Sequence, residues 1–124
     1  MTVILVIDDD TVVREAISDI LEMVKATVLC APDGPEGIEI FKQNVEKVDG
    51  IIIDRRMPKM DGIEALQELR KIRPGVPIIM SSGYANEKML TTQDPDLEKP
   101  DAYLYKPYEI DDLIQLVENI ILKR

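Results

Sequence analysis

The sequence predicts a doubly wound α/β domain in which five βα units form a parallel sheet with helices on both faces. Short apolar runs alternate along the chain with segments whose apolar residues recur at helical spacing. The runs are rich in β-branched residues and four to six residues long, which is typical of strands buried on both faces. Strict alternation of such strands and helices implies right-handed crossovers and a helical layer on each face of the sheet.

Five apolar runs are predicted as strands: VILVI (3–7), ATVLCA (26–31), GIII (50–53), PIIM (77–80) and AYLY (102–105). None is long enough for a membrane span or for the core of a signal peptide. For five parallel strands we expect the flavodoxin-like (βα)5 arrangement with strand order 2-1-3-4-5. In that arrangement ligands bind at the carboxyl ends of the strands.

The helices are predicted from apolar residues three and four positions apart. The first helix carries Val13, Ala16, Ile17, Ile20, Leu21 and Val24. The second begins after Asp33, an expected N-cap that is followed by Pro35. The third begins at Gly62 and the last near Tyr108. Between residues 84 and 100 the pattern is poor, and we expect a short, mobile fourth helix there.

Length, charge and composition narrow the class of protein. A chain of 124 residues predicts one domain, residues 1–124. The net charge of −9 argues against direct binding to nucleic acid, which needs clustered Lys and Arg. The chain has no histidine, so histidine metal sites and histidine bases are excluded. Its single cysteine, Cys30, lies in an apolar run, and we expect a buried thiol in a cytoplasmic protein.

Polar side chains stand at the predicted carboxyl ends of four strands. They are, in chain order, Asp8, Asp9, Asp54, Ser81, Ser82 and Lys106. Since these strand ends lie along one edge of a parallel sheet, the acids, hydroxyls and ammonium would converge. The negative charges exceed the positive charge by two, so a divalent cation would neutralise the group, and oxygen ligands favour Mg²⁺. Such a group binds phosphoryl oxygens, and a carboxylate not needed by the metal can attack phosphorus.

A single aspartate after a strand is more often a helix or turn cap than a functional group. We expect that role for Asp10, Asp33 and Asp61, and the Asp8-Asp9 pair could also cap the first helix. What indicates a site is the combination of acids, hydroxyl and lysine in that order at the strand ends.

Four stretches make the chain resemble a response-regulator receiver domain, the phosphoacceptor part of two-component signalling and a relative of the chemotaxis regulators. They are VILVIDDD, IIIDRRMPKMDG, PIIMSSGY and YLYKPY, and the resemblance covers essentially the whole chain. It implies that Asp54 is phosphorylated and that Asp8 and Asp9 hold Mg²⁺, Asp9 directly and Asp8 mainly through water. The backbone carbonyl of Arg56 would be a further metal ligand.

The same resemblance implies roles for residues of the last two strands. Ser82, rather than Ser81, would bond the phosphoryl group, and Lys106 would pair with a phosphoryl oxygen. The Lys106–Pro107 bond would be cis. Tyr103 would be the aromatic residue whose rotamer reports phosphorylation, whereas for Tyr105 we expect simple packing.

The implied activity is signalling, with self-catalysed phosphotransfer and autodephosphorylation only. A histidine kinase or phosphotransfer protein would donate the phosphoryl group. The face formed by the fourth helix, fifth strand and fifth helix (α4-β5-α5) would then change its preference for a downstream effector protein or domain. Family habit also implies a homodimer through that face, and no membrane contact is expected.

The chain departs from the family pattern in two regions. LEKPDA (97–102) replaces the Gly-Ala pair that usually precedes the fifth strand. Arg56 and Tyr84 occupy positions that tune the lifetime of the acyl phosphate in this family.

Two other interpretations fit parts of the sequence. DDDTV (8–12) matches the D-x-D-x-T/V pattern of haloacid-dehalogenase-type phosphatases, with Asp8 as nucleophile and Asp10 as acid/base. That family needs a later acidic pair at a strand end, whereas Asp111-Asp112 falls at the start of a predicted helix, and Asp54 would have no role. The other interpretation is a receiver-like binding module that is never phosphorylated.

Overall fold

Five parallel strands form one sheet in the computed structural model, which describes residues 2–83 and 96–123. The strands are β1 Thr2–Ile7, β2 Ala26–Ala31, β3 Gly50–Asp54, β4 Ile78–Ser82 and β5 Ala102–Tyr105. Their order is β2-β1-β3-β4-β5, which confirms the predicted fold. Strand β4 extends past its predicted end, so Ser81 and Ser82 belong to the ladder itself.

Three helices and a C-terminal helix cover the sheet. They are α1 Thr11–Met23, α2 Gly34–Gln43, α3 Gly62–Ile72 and, for the C-terminal helix, Ile110–Leu116 with a π-helical continuation over Val117–Leu122. The C-terminal helix begins later than predicted because Glu109 is its N-cap, and the Glu109 amide donates to Asp112 at 2.9 Å. The predicted fourth helix and Tyr84 lie outside the described residues. In the part of the chain that is described, no helix combines the length and apolarity needed to cross a membrane.

Aspartates cap the other three helices, as the sequence predicts. Asp10, Asp33 and Asp61 each accept hydrogen bonds from backbone amides of the following turn at 2.9–3.3 Å. These bonds satisfy amides that have no partner within the helix. Since Asp10 caps α1, the Asp8-Asp9 pair does not serve as its cap.

The two faces of the sheet are covered by different helices, and strand alternation decides which residue meets which layer. Ile7 and Ile53 pack with α2 and α3, on what we call the α3 face. Val6 packs with α1 and the C-terminal helix, on the α1 face. Met80 of β4 also lies on the α3 face. Because successive side chains point to opposite faces, the residue after each α3-face residue points to the α1 face.

Gly62 allows the loop after β3 to fold back against the strand. A Cβ atom at this position would lie 2.5 Å from the Asp54 carbonyl oxygen and 2.9 Å from the Cα of Arg55. The Gly62 amide donates to the Arg55 carbonyl at 2.8 Å. Any larger residue would push the start of α3 away from Asp54, so glycine is needed for this close approach.

Cys30 is exposed, so the prediction of a buried thiol is wrong. The residue lies in β2, which is an edge strand and has two exposed residues among its six. The Cys30 Sγ is 3.3 Å from the hydroxyl of Ser18 on α1. The predicted strand order already places this strand at an edge of the sheet, so the apolar composition of the run was the misleading signal.

Arg70 of α3 fastens the segment that enters β5. Its guanidinium pairs with Glu98 at 2.9 Å and with Asp101 at 3.0 Å, and its Nε donates to the Val76 carbonyl at 3.0 Å. Asp101 also accepts the amide of Ile78 at 2.8 Å. We refer to Arg70, Glu98 and Asp101 as the Arg70 cluster. It ties the amino ends of β4 and β5 to α3.

Candidate functional site

Asp8, Asp54 and Lys106 meet at the carboxyl edge of the sheet. Asp54 is the last residue of β3, while Asp8 and Lys106 directly follow β1 and β5. Each follows a residue that points to the α3 face, so all three side chains start from the α1 face. The Lys106 Nζ lies 3.1 Å from Asp54 Oδ1. The structure thus brings together side chains that are up to 98 positions apart in the chain.

Three carboxylates crowd this edge. One oxygen each of Asp8, Asp9 and Asp54 lies within 4.8 Å of the others. Asp8 and Asp54 are only 2% and 7% exposed, whereas Asp9 is exposed. Two like charges about 4 Å apart repel by about 4 kcal/mol at an effective dielectric of about 20. We refer to these three residues as the acid cluster.

The loop between β1 and α1 is held in place by its own hydrogen bonds. The Asp10 amide donates to Asp8 Oδ1 at 2.9 Å, and the Arg14 guanidinium donates to the Asp8 carbonyl at 2.6 Å. One carboxylate oxygen of Asp8 is therefore used within the loop, and Oδ2 is the oxygen that can point to a ligand. Arg14 was not predicted to belong to the site, because nothing in its spacing shows that it reaches a carbonyl six residues away.

Burial and crowding change the acidities of the site. Burial raises the pKa of Asp8 to about 6, and the nearby charge of Asp54 contributes in the same direction. Burial also raises the pKa of Asp54, although the hydrogen bond and charge of Lys106 act against it. Burial alone would lower the pKa of Lys106, but its bond to Asp54 and the charges of Asp54 and Asp8 raise it. A bound cation would therefore stabilise the ionised forms of these acids.

The acid cluster fits a magnesium ion. Its donors are all oxygens, and they lie close enough together to bind the same ion. Because Asp9 is exposed, an ion can reach the cluster from solvent. With Lys106 included, the negative charges exceed the positive one by two, which is the charge of one such ion. Arg56, whose backbone carbonyl is the expected further ligand, lies in the loop directly after β3, and its side chain is exposed.

The fold and this site can be compared with known proteins. The family model for the response regulator receiver domain matches residues 4–118. The chain belongs to this family. The probable C4-dicarboxylate response regulator DctR of Bacillus subtilis is 33% identical over 120 residues, which are 94% of this chain and 50% of that protein. This receiver domain thus spans half the length of DctR, and a similar or smaller share of other curated relatives.

Solved structures agree with the family. A response regulator receiver domain protein from Clostridium thermocellum superposes with a TM-score of 0.88 at 33% identity, covering 99% of this chain and 96% of that chain. The receiver domain of a Pseudomonas aeruginosa PAO1 sensor histidine kinase has a TM-score of 0.81 at 26% identity and covers 97% of each chain. That structure was solved with a magnesium ion coordinated in its active site cleft.

Two buried serines end β4 of the receiver domain and start from opposite faces. Ser81 is the register partner of Asp54 and lies on the α1 face. Ser82 is the register partner of Tyr105, lies on the α3 face, and is the last residue of the strand. Each serine is 1% exposed. The edge of the site therefore contains two hydroxyls in different settings, and of these only Ser82 was predicted to bond the phosphoryl group.

Tyr103 and Tyr105 form a stacked pair on β5. Their ring centroids are 5.8 Å apart and the ring planes differ by 7°. Tyr103 also packs against the core of the α3 face. Among the described residues the buried Tyr105 hydroxyl has no hydrogen-bond partner. The expectation of simple packing for Tyr105 missed that it stacks directly on the predicted switch residue, although the two-residue spacing places both rings on one face.

The geometry disfavours the phosphatase interpretation. Asp10, its required acid/base, uses one carboxylate oxygen to cap α1 with two amide bonds. Asp111 and Asp112 lie in the first turn of the C-terminal helix rather than at a strand end.

The Lys106–Pro107 bond is cis, as the family resemblance implies.

Proposed function

We propose that the receiver domain accepts a phosphoryl group on Asp54 from a histidine kinase or phosphotransfer protein. The observation that carries this proposal is the 3.1 Å ion pair of Lys106 and Asp54 within the acid cluster. An Asp54 oxygen would form the new bond to phosphorus while the bond from phosphorus to the donor breaks and its electron pair leaves with the donor. Lys106 keeps the carboxylate available in its ionised form, against the effect of burial.

We propose that Asp8, Asp9 and Asp54 hold Mg²⁺, together with the backbone carbonyl of Arg56. As the family resemblance implies, Asp8 would act mainly through water and Asp9 would bind directly, while one Asp8 oxygen keeps its bond from the Asp10 amide. When bound, the ion offsets the charge of the phosphoryl oxygens. Its electrostatic role would complement that of Lys106, whose ammonium pairs with Asp54.

Ser82 and Lys106 would each bind a phosphoryl oxygen in the product. Ser82 stands at the end of β4 and its backbone carbonyl accepts the Lys106 amide at 2.8 Å, so the two residues are coupled through the ladder. A hydroxyl and an ammonium can donate to separate oxygens of one phosphoryl group. The acyl phosphate would later be hydrolysed within the same site, so the proposed activity of this domain is self-catalysed phosphotransfer and autodephosphorylation.

The output would be a shift between two conformations. Movement of Ser82 toward the phosphoryl group would leave room for Tyr103 to turn inward, changing the α4-β5-α5 face. That face would bind a downstream effector protein or domain, and in this family it also supports homodimers. Direct contact with nucleic acid is not part of the proposal, since the net charge is −9.

Intact-mass spectrometry after incubation with acetyl phosphate tests the proposed function. Wild type should gain one phosphoryl group in the presence of Mg²⁺ and none with EDTA. Asp54→Asn should gain none. Label that survives Asp54→Asn but disappears in Asp8→Asn would favour the phosphatase interpretation. Absence of label from all variants, with Mg²⁺ binding intact, would favour a binding module that is never phosphorylated.

A further inference from the structure

Ser81 is a buried hydroxyl that the proposed function does not use. It is 1% exposed, and among the described residues its Oγ has no hydrogen-bond partner. Leaving a buried hydroxyl unpaired costs about 1–3 kcal/mol, so such groups are rare in folded proteins and call for an explanation. Alanine lacks the hydroxyl and would avoid this penalty. The position of the hydroxyl, beside Asp54, suggests a functional role.

The ladder places Ser81 directly beside Asp54. The two residues are register partners in the β3–β4 pairing, and both side chains lie on the α1 face. Neighbouring strands are about 4.8 Å apart, so the two Cβ atoms are separated by about that distance. Rotation about one bond in each side chain can then bring the Ser81 hydroxyl within hydrogen-bond range of an Asp54 oxygen.

Lys106 explains why this bond is not needed before phosphorylation. In the structure Asp54 Oδ1 already accepts the Lys106 ammonium at 3.1 Å. In the proposed function, Lys106 pairs with a phosphoryl oxygen once Asp54 is phosphorylated. The Asp54 oxygen that is not bonded to phosphorus would stay a ligand of the proposed Mg²⁺, but it would lose its hydrogen-bond donor and keep a second lone pair that can accept one. Ser81 is the neighbouring hydroxyl that can replace it.

We propose that the Ser81 hydroxyl donates to the carbonyl oxygen of phosphorylated Asp54 and thereby sets how fast the acyl phosphate is hydrolysed. This inference rests on the proposed function. Ser82 would bind the phosphoryl group, whereas Ser81 would bind the carboxyl group to which the phosphoryl is attached. The two adjacent hydroxyls, which start from opposite faces of β4, would serve opposite sides of the breaking bond.

The chemistry predicts the direction of the effect. In hydrolysis a water oxygen bonds to phosphorus, and the bond from phosphorus to the Asp54 oxygen breaks. Its electron pair returns to Asp54 as a carboxylate, and the protons of the water stay with the released phosphate. Negative charge therefore develops on the Asp54 carboxyl in the transition state, where a hydrogen-bond donor is most effective. Ser81 should shorten the lifetime of the phosphorylated state.

The test compares the decay of the phosphorylated protein in wild type, Ser81→Ala and Ser81→Thr. After labelling with acetyl phosphate and Mg²⁺ and removal of the donor, Ser81→Ala should lose its phosphoryl group about three- to tenfold more slowly than wild type. Ser81→Thr, which keeps the hydroxyl, should decay within about twofold of wild type. Ser18→Ala, which removes a serine hydroxyl on α1 next to Cys30, is the matched control and should decay like wild type.

A spectroscopic measurement separates a hydrogen bond from a packing effect. With ¹³C-labelled aspartate, isotope-edited infrared spectra report the carbonyl stretch of the acyl phosphate. A donated hydrogen bond lowers this frequency, so Ser81→Ala should raise it and Ser81→Thr should restore it. Urea unfolding of each variant provides the structural comparison, since a role in packing alone would change stability and leave the carbonyl band where it is.

The outcomes distinguish this inference from the proposed function. A wild-type protein that takes no label on Asp54 overturns both. A wild type that is labelled normally, with Ser81→Ala matching it in decay and in carbonyl frequency, overturns the role of Ser81 and leaves the proposed function standing. Faster decay in Ser81→Ala also overturns it, because the hydroxyl would then protect the acyl phosphate.

Discussion

The two ends of β5 carry charged clusters of different design. At the amino end, Arg70 pairs with both Glu98 and Asp101, whose side chains are 57% and 44% exposed. At the carboxyl end, the three residues of the acid cluster lie beside one ammonium, that of Lys106, and two of the three acids are buried. The acids of the Arg70 cluster are exposed, and each has an ion pair. The acid cluster is crowded and carries surplus negative charge.

This difference shows how a structural charge cluster can be told from a functional one. The Arg70 cluster needs no ligand, because its hydrogen bonds to the Val76 carbonyl and the Ile78 amide complete it. Burial destabilises the charged carboxylates of the acid cluster, and the raised pKa values of Asp8 and Asp54 reflect this cost. A binding site for a cation and an anionic group is a sufficient reason to keep such an arrangement.

The largest expected effect separates Asp54 from Asp101, since each is a carboxylate that pairs with the cation of its cluster. Asp54→Asn should abolish labelling by acetyl phosphate, because the amide is not a nucleophile, while the fold remains intact. Asp101→Asn should still be labelled in the presence of Mg²⁺. Intact-mass spectrometry measures both. Retained label on Asp54→Asn would contradict the central assignment.

The next effect concerns the metal. Asp9→Ala removes an exposed carboxylate of the acid cluster and should weaken Mg²⁺ binding at least about tenfold, as measured by titration calorimetry. Glu98→Ala removes an exposed carboxylate of the Arg70 cluster and is the matched control, with unchanged affinity expected. Equal affinities in the two variants would show that the acid cluster is not the magnesium site.

Arg70 should contribute to the stability of the fold, whereas Lys106 should contribute to the response to phosphorylation. Arg70→Met should lower the free energy of unfolding by about 1–3 kcal/mol in urea titrations, because it leaves the Val76 carbonyl and Asp101 without their donor. Magnesium affinity and labelling of Asp54 should stay as in wild type. A loss of magnesium binding would show that the two ends of β5 are coupled.

Lys106→Ala is the counterpart of that variant at the other end of the strand. It should leave magnesium affinity within about threefold of wild type, since the lysine is not a metal ligand. It should impair the conformational response to phosphorylation. Fluorine NMR of fluorotyrosine at Tyr103 reports that response, and a normal shift in Lys106→Ala would argue against the role given to the lysine.

The smallest expected effect is a pH dependence of stability without Mg²⁺. The pKa of Asp8 is raised to about 6 in the folded protein, so between about pH 4 and pH 6 the folded state holds a proton that the unfolded state has lost. This residue therefore makes the protein less stable as pH rises through that window. Asp8→Asn should be more stable than wild type by about 1–2 kcal/mol above pH 6, with the difference vanishing below pH 4. A constant difference across this range, in paired urea titrations, would contradict the raised pKa.

Local sequence predicted most of the architecture. Apolar runs and helical spacing located all five strands and the helices of the described residues, and Asp10, Asp33 and Asp61 were recognised as caps. These features depend on neighbours in the chain, which is why they can be read from it. Site residues were predictable for a related reason, since Asp8, Asp54 and Lys106 each directly end a strand or follow one, and strand ends share an edge in a parallel sheet.

Contacts between distant residues were decided only by the tertiary structure. The exposure of Cys30 depends on how fully the helices cover β2, and the Arg70 cluster depends on where α3 passes the start of β5. The surroundings of Ser81 likewise exist only once β3 and β4 pair in register. The sequence by itself determined which elements form and which polar groups reach the site. The tertiary structure decided which of those groups find a partner, because burial and register are properties of the assembled sheet.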